Sequence, residues 1–369
     1  MNKIIKLKEL VTIQNGKDYK HLGKGNVPLY GSGGLMGYVD DYLYKGESVL
    51  LPRKGTLNNI MYVNEAFWNV DTMYWTIINK QLVYPKYLYC YLFLLDLSHK
   101  DSGSTLPSMT FNSYYDLPIK LIDYDMQKRI GDLYFTITHK IELNSKINKE
   151  LESLVKTIYD YWFLQFEFPN EKGKPYKSSG GKMVWNDELK REIPEGWEVY
   201  NISEISDIYQ PKTISDKEMV INGKYNVYGA NGIVGKYNKY NHSDNEIALC
   251  CRGASCGNYL MTMPFSWITG NSMVISPFDK RLKEYLYNSL SVEYISKFIT
   301  GSAQPQITRT NISNIKVIIP SSKILNKFNC LSMPNRKIIQ LITEDNEKLS
   351  QVRDFLLPLL MNGQVGFKE

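Results

Sequence analysis

The sequence lacks the long apolar run that a membrane-spanning helix requires. Its longest apolar stretches, such as residues 89–95, fall well short of the roughly 20 residues needed to cross a bilayer. The start, MNKIIKLKEL, contains lysines but no apolar stretch follows it, so it predicts neither a secretory signal nor a transit peptide. These absences predict a cytoplasmic protein without a membrane partner.

Cysteine is scarce and irregularly spaced. An odd number of cysteines without regular spacing indicates reduced thiols rather than a disulfide framework; the five are Cys90, Cys250, Cys251, Cys256 and Cys330. The middle three follow His242 and could form a zinc site. Paired C-x-x-C elements are absent, however, so buried thiols on a strand are the preferred interpretation, and no metal site is predicted.

Catalytic motifs are also lacking. The four histidines are scattered, and none lies in an H-E-x-x-H or nucleophile-elbow setting. A Walker lysine motif, the Asn/Asp-Pro-Pro-Tyr/Phe tetrapeptide of amino-methyltransferases and a paired-carboxylate nuclease core are not found. The glycine-rich residues 31–37 lack the G-x-G-x-x-G spacing of a nucleotide-binding loop and are interpreted as a turn. The chain is therefore predicted to catalyse nothing by itself and to carry no cofactor.

The composition is that of a globular protein. With 369 residues, of which 43% are hydrophobic, 13% aromatic and 22% charged, the chain can form packed cores and is long enough for two domains. The net charge of +6 permits nucleic-acid binding without requiring it.

The sequence contains an internal duplication. An offset of 198 residues carries Tyr30, Gly31, Gly34 and Gly37 onto Tyr228, Gly229, Gly232 and Gly235. The same offset carries Gly55 onto Gly253, the Gly-Ser-x-x-Pro segment 103–107 onto 301–305, and Asn148 onto Asn346. Chance would not keep one register over so long a stretch, so each half is predicted to repeat one folded unit.

Each half has the same predicted order of elements. Short β-type segments come first, then an apolar helix that begins at Pro85 or near Asp279, a polar loop, and one more strand. The predicted strands are 48–51, 60–63, 73–78 and 117–122 in the first half, and 247–251, 259–263, 273–275 and 315–319 in the second. The fold class is therefore α+β, with two pseudo-symmetric mixed α/β domains.

A heptad pattern follows the last strand of each half. Apolar residues and asparagines that recur every three or four positions predict a helix from about residue 125 to 164, on the order of 60 Å long, and an antiparallel partner helix in the second half. The predicted helix-pair seam comprises Ile130, Ile137, Ile141, Asn148, Leu151 and Ile158, with Ile339, Ile342, Asn346, Leu349 and Leu356. Two independent amphipathic helices are the alternative. The asparagines either set the register or are solvated, and Pro334 is taken as the start of a shorter second helix.

Polar loop residues of both halves are suited to contact DNA. Arginine, asparagine, glutamine and hydroxyl side chains match base edges, and lysine holds phosphates. The candidates in the first half are Arg53, Lys54, Asn58, Asn59, Ser104, Thr105, Ser108, Thr110 and Asn112. In the second half they are Arg252, Ser255, Asn258, Gln304, Gln306, Thr308, Arg309 and Asn311. The Gly-Ser…Pro…Thr loop keeps its backbone-setting residues in both halves while its polar residues change, as two different half-sites would require. Simple solvation of these loops is the alternative.

Four segments resemble the specificity subunits of Type I restriction–modification systems. They are Tyr-Trp-Phe-Leu-Gln-Phe-Glu-Phe-Pro at 161–169, Gly-Lys-Pro-Tyr-Lys-Ser-Ser-Gly-Gly-Lys-Met at 173–183, Ile-Pro-Glu-Gly-Trp at 193–197 and Leu-Leu-Pro-Leu-Leu-Met-Asn-Gly-Gln at 356–364. The resemblance covers essentially the whole chain.

The resemblance implies a division into five segments. Target-recognition domains are expected at 1–123 and 193–322, spacer helices at 124–167 and 323–369, and a linker at 168–192. Residues 168–183 are also rich in Pro, Gly, Ser and Lys and lack periodicity, which independently predicts a connection. Each domain would bind one half of a split, asymmetric site in double-stranded DNA, and the helices would set the spacer and dock modification subunits. Those methyltransferase partners would bring S-adenosylmethionine, and restriction subunits would add ATP- and Mg-dependent translocation and cleavage. A component of a fused methyltransferase–nuclease system and a coiled-coil scaffold without DNA are the alternatives.

Overall fold

The computed structural model describes residues 3–97, 107–301 and 304–367, which divide between two compact units. Unit 1 is Met1–Asn144 with Asp345–Glu369, and unit 2 is Ser145–Glu344. Each unit contains one mixed α/β domain and part of each of two long helices. The predicted α+β class with two repeated domains is confirmed.

The domain of unit 1 is built on one mixed, mainly antiparallel sheet. Its strands are β1 (Lys3–Lys6), β2 (Val11–Asn15), β3 (Lys24–Gly31), β4 (Gly34–Val39), β5 (Tyr44–Pro52), β6 (Met61–Asn69), β7 (Met73–Ile78) and β8 (Pro118–Leu121). The main sheet has the order β2-β7-β5-β6-β3-β4, and β1 pairs with β8. Helices α1 (Pro85–Phe93) and α2 (Phe111–Tyr115) complete it, and α1 starts at Pro85 as predicted. Tyr87 and Leu88 of α1 lie in one core cluster with Val49 and Leu51 of β5.

The domain of unit 2 repeats this plan. Its strands are β9 (Met183–Asn186), β10 (Arg191–Pro194), β11 (Glu198–Asn201), β12 (Ser206–Tyr209), β13 (Tyr225–Gly229), β14 (Gly232–Tyr237), β15 (Ile247–Cys250), β16 (Tyr259–Met261), β17 (Trp267–Ile268), β18 (Ser272–Pro277) and β19 (Lys316–Ile319). They form sheets of order β12-β18-β15-β16 and β14-β13-β17, with the pairs β11-β19 and β10-β9. The short helices are α4 (Ile202–Ile205), α5 (Lys283–Ser289), α6 (Val292–Ser296) and α7 (Arg309–Ser313). A 3₁₀ turn at Lys280–Leu282, capped by Asp279, leads into α5.

The duplication holds at the level of elements. Helix α7 and strand β19 lie 198 positions after α2 and β8, with equal lengths. One difference is that the single strand β6 corresponds to two short strands, β16 and β17. Pro264 lies between them and has no N–H to donate, and Phe265 has a φ of 51°, so the strand cannot continue through this point.

Two long helices follow β8 and β19. Helix α3 spans Tyr124–Tyr159 and continues into a π-helical turn at Asp160–Leu164, while α8 spans Ser322–Asn362. In unit 2 the α3 residues Asn148 and Glu152 approach Thr343 and Arg336 of α8 in reverse chain order, so the helices are antiparallel. The predicted antiparallel pairing is confirmed. None of the helices in the described ranges combines the length and apolar character that a bilayer-spanning segment needs.

The prediction that Pro334 starts the second helix is wrong. Helix α8 begins at Ser322, runs through Pro334 and has 41 residues, so it is not shorter than α3, whose 36 residues are followed by the five of the π-helical turn. Proline removes one backbone donor from a helix interior. The acceptor that loses its usual donor is the Cys330 carbonyl oxygen, and next to it the Leu331 carbonyl oxygen accepts from the Asn335 side-chain amide at 2.8 Å. Pro334 is also exposed, so its ring lies on the surface of the helix.

The segment interpreted as a plain connection also contains structure. Strands β9 and β10 form an antiparallel hairpin in which Asn186 pairs with Arg191. Before the hairpin, the Phe168 ring stacks between the Tyr176 and Trp197 rings, with centroids 4.5 and 4.9 Å away. This part of the chain packs on the core of unit 2 because its aromatic residues bury apolar surface there.

Candidate nucleic-acid interface

In unit 1 the two loops that carry most of the predicted DNA-binding residues lie side by side. The loop after β5 and the loop before α2 form an isolated antiparallel bridge between Lys54 and Ser108. The Gly55 N–H donates to the Pro107 carbonyl oxygen at 2.9 Å, and the Met109 N–H donates to that of Arg53 at 3.0 Å. Directly opposed residues of an antiparallel bridge share one face, so the two side chains are neighbours.

Unit 2 repeats the same backbone arrangement with different side chains. Arg252 bridges to Gln306, the Gly253 N–H donates to the Pro305 carbonyl oxygen at 3.1 Å, and the Ile307 N–H donates to that of Cys251 at 3.0 Å. Each of these positions lies 198 residues after its counterpart. The glycine is needed in both loops because φ is 89° at Gly55 and 81° at Gly253, a region that side chains disfavour. We call each bridge with its two side chains the cross-loop pair.

A threonine cap ends each loop. The Thr110 hydroxyl accepts from the Ser113 N–H at 3.2 Å and begins α2, and the Thr308 hydroxyl accepts from the Asn311 N–H at 3.2 Å and begins α7. These hydroxyls therefore act as helix caps, which is the usual role of threonine at this position.

The structure separates the predicted residues into two groups. The first group is exposed and able to reach a ligand: Lys54, Asn112, Arg252, Asn258, Gln304, Gln306 and Arg309. Arg309 lies 3.9 Å from Asp207, and both side chains are more than half exposed, so this ion pair is weak.

The second group is engaged within the protein. The Asn58 amide group binds Asp96 and the Leu97 N–H, and the Asn59 amide donates to the Ser32 carbonyl oxygen at 2.7 Å. The Asn311 amide donates to Phe298, and the Arg53 guanidinium lies over the Tyr74 ring with 6.0 Å to its centroid. Because these side chains already have partners within the protein, a structural role is favoured over base contact. Ser108 and Ser255 are half-buried, and Ser104 and Thr105 lie outside the described residues.

The β3–β4 turn lies next to these loops but was not among the predicted DNA-binding residues. Of residues 31–37, which were interpreted as a turn, residues 31–34 form a tight turn and 34–37 belong to β4. Ser32 of the turn binds the Asn59 amide and the Thr72 hydroxyl. The Thr72 carbonyl oxygen in turn accepts from the Arg53 N–H at 2.8 Å. In unit 2 the counterpart of Ser32 is Ala230, and the next turn residue, Asn231, lines a recess with Asn258. The repeated Tyr-Gly motif was the available signal, because it places this turn equally in both units.

His242, Cys250, Cys251 and Cys256 of unit 2 are buried, whereas Cys330 is exposed. Burial raises the pKa of the Cys250 thiol and raises that of Cys256 to about 11. The Nδ1 and Nε2 atoms of His242 lie 2.6 Å from the Asn241 amide oxygen and 2.9 Å from the Tyr209 hydroxyl. In the part of the chain that the structure describes, no three His, Cys, Asp or Glu side chains are grouped as metal ligands would be.

The predicted helix-pair seam lies along the less exposed face of each helix. Ile130 and Ile339 are buried, and the remaining seam residues are half-buried: Ile137, Ile141, Asn148, Leu151, Ile158, Ile342, Asn346, Leu349 and Leu356. In unit 1 the Asn144 amide donates to the Asn346 side-chain oxygen at 2.8 Å and to Asp345 at 3.1 Å. In unit 2 the Asn148 amide donates to the Thr343 hydroxyl at 3.1 Å. These contacts favour a register-setting role for the asparagines over solvation.

Comparison with known proteins identifies the class. Residues 2–153 and 194–344 each match the family described as Type I restriction modification DNA specificity domain. The chain therefore belongs to the family of Type I restriction–modification specificity subunits, as the sequence resemblance predicted.

Individual relatives agree with this assignment. The chain is 26% identical over 346 residues to the Type I restriction enzyme MjaIX specificity subunit of Methanocaldococcus jannaschii, covering 84% of this chain and 74% of that protein. It is 23% identical over 374 residues to the HindI specificity subunit of Haemophilus influenzae, covering 78% and 79%. The crystal structure of a Type-I restriction-modification S subunit from M. genitalium has the same fold, with a TM-score of 0.65 at 15% identity over 98% of this chain and 96% of that one.

Proposed function

We propose that this subunit binds double-stranded DNA sequence-specifically, with each domain binding one half of a bipartite asymmetric site. The observation that carries the proposal is the cross-loop pair. The same bridge displays Lys54 and Ser108 in unit 1 but Arg252 and Gln306 in unit 2. A backbone arrangement shared by the two units, with different polar side chains, suits two domains that bind different base sequences.

The chemistry of the second cross-loop pair is the more specific one. Arginine makes a bidentate contact with guanine, and glutamine makes one with adenine. Arg252 and Gln306 are exposed and adjacent, so they suit neighbouring purines in the major groove. Lys54 suits guanine or a phosphate group, and Ser108 suits either class of base.

Methylome sequencing of a host that carries single variants tests this proposal. We expect Arg252→Ala or Gln306→Ala to relax one base position of one half-site, since a good bidentate contact contributes about 1–3 kcal/mol of discrimination. Lys54→Ala should affect the other half-site alone. Arg281→Gln is the matched control, because Arg281 follows the far end of β18 and bonds to Asp279. If neither Arg252→Ala nor Gln306→Ala changed the methylated sequence, base contact by these two residues would be contradicted.

The helices are proposed to set the spacer and to dock the modification subunits. Outside the seam, apolar side chains are exposed at equivalent places in the duplicated sequence, Leu143 with Leu341 and Leu154 with Val352. Exposed apolar residues repeated in this way suit two copies of one partner. Replacing these four residues by serine should abolish co-purification with modification subunits and leave the fold intact, whereas retained co-purification would contradict this docking surface. Deleting one heptad from each helix should change the spacer and leave both half-sites unchanged.

The remaining roles are assigned to partner subunits. In this proposal the methyltransferase subunits bring S-adenosylmethionine and methylate adenine, and the restriction subunits supply ATP- and Mg-dependent translocation and cleavage. The chain itself acts in the cytoplasm as a non-catalytic subunit with recognition domains at 1–123 and 193–322. Methylation or cleavage of DNA by the purified chain alone would contradict this division of labour.

A further inference from the structure

Both domains expose an apolar pair at the same hairpin tip. Leu35 and Met36 directly follow the β3–β4 turn and are each 52% exposed. Their counterparts at the 198-residue offset, Ile233 and Val234, follow the β13–β14 turn and are 49% and 52% exposed. Isolated exposed apolar residues are common, but the same adjacent pair at one place in two domains requires a shared cause.

The two tips also share the backbone that presents these side chains. The pairing shifts between Leu29 and Tyr30 of β3 and between Val227 and Tyr228 of β13, so the extra residue of the bulge is Met36 in β4 and Val234 in β14. Bulges of this kind re-aim a side chain.

A glycine lies beneath the second residue of each pair. A Cβ added to Gly31 would lie 2.6 Å from the Met36 sulfur, and one added to Gly229 would lie 2.7 Å from a Val234 methyl carbon. Each glycine therefore makes room for the apolar side chain that packs over it. The tips are shaped to hold these groups in place.

Each tip adjoins the loops of the cross-loop pair. In unit 1, Ser32 of the turn binds Asn59 and Thr72, and Thr72 binds Arg53. In unit 2, Asn231 of the turn and Asn258 line one recess of about 290 Å³. A duplex on the polar loops would therefore meet the apolar pair as well.

We propose that the two apolar pairs are wedges that press on the DNA duplex by van der Waals contact and contribute affinity without selecting the base sequence. This inference rests on the proposed DNA-binding function. The polar cross-loop pair differs between the domains, as sequence discrimination requires, whereas the apolar pair is retained, so it suits a feature that both half-sites have in common. Apolar side chains that insert at base steps use such a feature, because every duplex offers stacked bases.

The experiment uses the full chain in complex with its modification subunits. The probe is a duplex that carries the site identified by methylome sequencing of the host. The variants are Leu35→Ser with Met36→Ser in unit 1, and Ile233→Ser with Val234→Ser in unit 2. The matched control is Ile77→Ser with Leu82→Ser, because these exposed residues lie at or beyond the end of β7 that is remote from the loops.

We expect each tip variant to bind the duplex about tenfold more weakly, since two half-exposed apolar side chains lose their burial. The slope of affinity against salt should stay unchanged because no phosphate contact is removed. The methylated sequence should also stay unchanged, and the control should bind as the wild type does.

Three outcomes overturn the inference. Wild-type affinity in both tip variants shows that the pairs do not contact DNA, and a changed half-site shows that they select bases. Failure of the tip variants to assemble with the modification subunits shows that the pairs dock protein. If the wild-type complex itself does not retain the duplex, the proposed function fails, which is distinguishable from failure of the wedge alone.

A photocrosslinking experiment covers variants that do not fold. With Cys330→Ser as background, a photoactivatable group on Leu35→Cys should crosslink to the duplex, and one on Ile77→Cys should not. Equal crosslinking from the two positions would also overturn the inference.

Discussion

Glutamine in place of Glu284 should destabilise unit 2 strongly. Glu284 lies on α5 and forms a two-pronged ion pair with Arg336 of α8, with N–O distances of 2.8 and 3.2 Å. The side chains are only 7% and 11% exposed. Burial disfavours the charge on Arg336, but Glu284, with smaller contributions from Tyr287 and Glu152, outweighs it, so the pKa of the guanidinium is raised.

The magnitude follows from this burial. Glu284→Gln would leave a buried cation without its main counter-charge, because the remaining carboxylate, Glu152, is 3.8 Å away and about half exposed. Loss of one partner of a buried pair costs about 3–5 kcal/mol, whereas replacement of both by apolar residues is often neutral. We therefore expect a loss of about 3 kcal/mol for Glu284→Gln and near wild-type stability for Glu284→Leu with Arg336→Met.

The duplication supplies the matched control. Lys86 occupies the position of Glu284 in unit 1 and pairs with Asp132 at 2.7 Å, and these side chains are more exposed. Asp132→Asn should therefore cost no more than about 1 kcal/mol. Because the chain has two units, amide hydrogen exchange in α5 and α1 is the suitable assay, since it reports each unit separately. Equal losses of protection in the two variants would refute the argument from burial.

Three further predictions concern single positions. Asn144→Ala should lower the free energy of unfolding of unit 1 by about 1–3 kcal/mol in denaturant titrations, because it removes the donor to the Asn346 side-chain oxygen. An unchanged denaturation midpoint would show that these asparagine side chains are solvated. Gly253→Ala should lower the free energy of unfolding by about 1 kcal/mol or more, because alanine is strained at a φ of 81°, and the thermal midpoint should fall. Gly363→Ala, at a φ of 73° just after α8, is the comparison outside the loop. Burial, with a smaller contribution from Lys283, lowers the pKa of His242, so the unfolded chain binds a proton more readily. The contribution of neutral His242 to stability should therefore be complete above the pKa of the unfolded chain, about 6.5. It should be lost as the pH falls toward the lower pKa of the folded state. The difference in thermal midpoint between wild type and His242→Gln should therefore shrink on acidification, and a difference that grows would contradict this sign.

The order of elements in each half, the duplication and the long helices could be predicted from local pattern. Alternating β-type residues, Pro85 at a first turn and the three-four spacing from Ile130 to Ile158 each act over a few residues, and the 198-residue offset needs only comparison of the chain with itself. The family resemblance rested on short segments for the same reason.

Other features depended on contacts between distant residues. Pro334 locally predicts a helix start, but packing over 41 residues of α8 outweighs one missing backbone hydrogen bond. Residues 168–182 have no periodicity, yet their aromatic rings pack on Trp197.

The sequence by itself determined which residues are polar and which backbone plan is repeated, because composition and periodicity are properties of the chain. Only the tertiary structure decided which polar side chains remain available to a ligand. Asn59 and Lys54 are equally suitable in sequence, but Asn59 bonds to Ser32 and Lys54 is exposed beside Ser108. The physical reason is that a hydrogen-bonding group is committed by the partner that folding brings to it, and that partner lies far away along the chain.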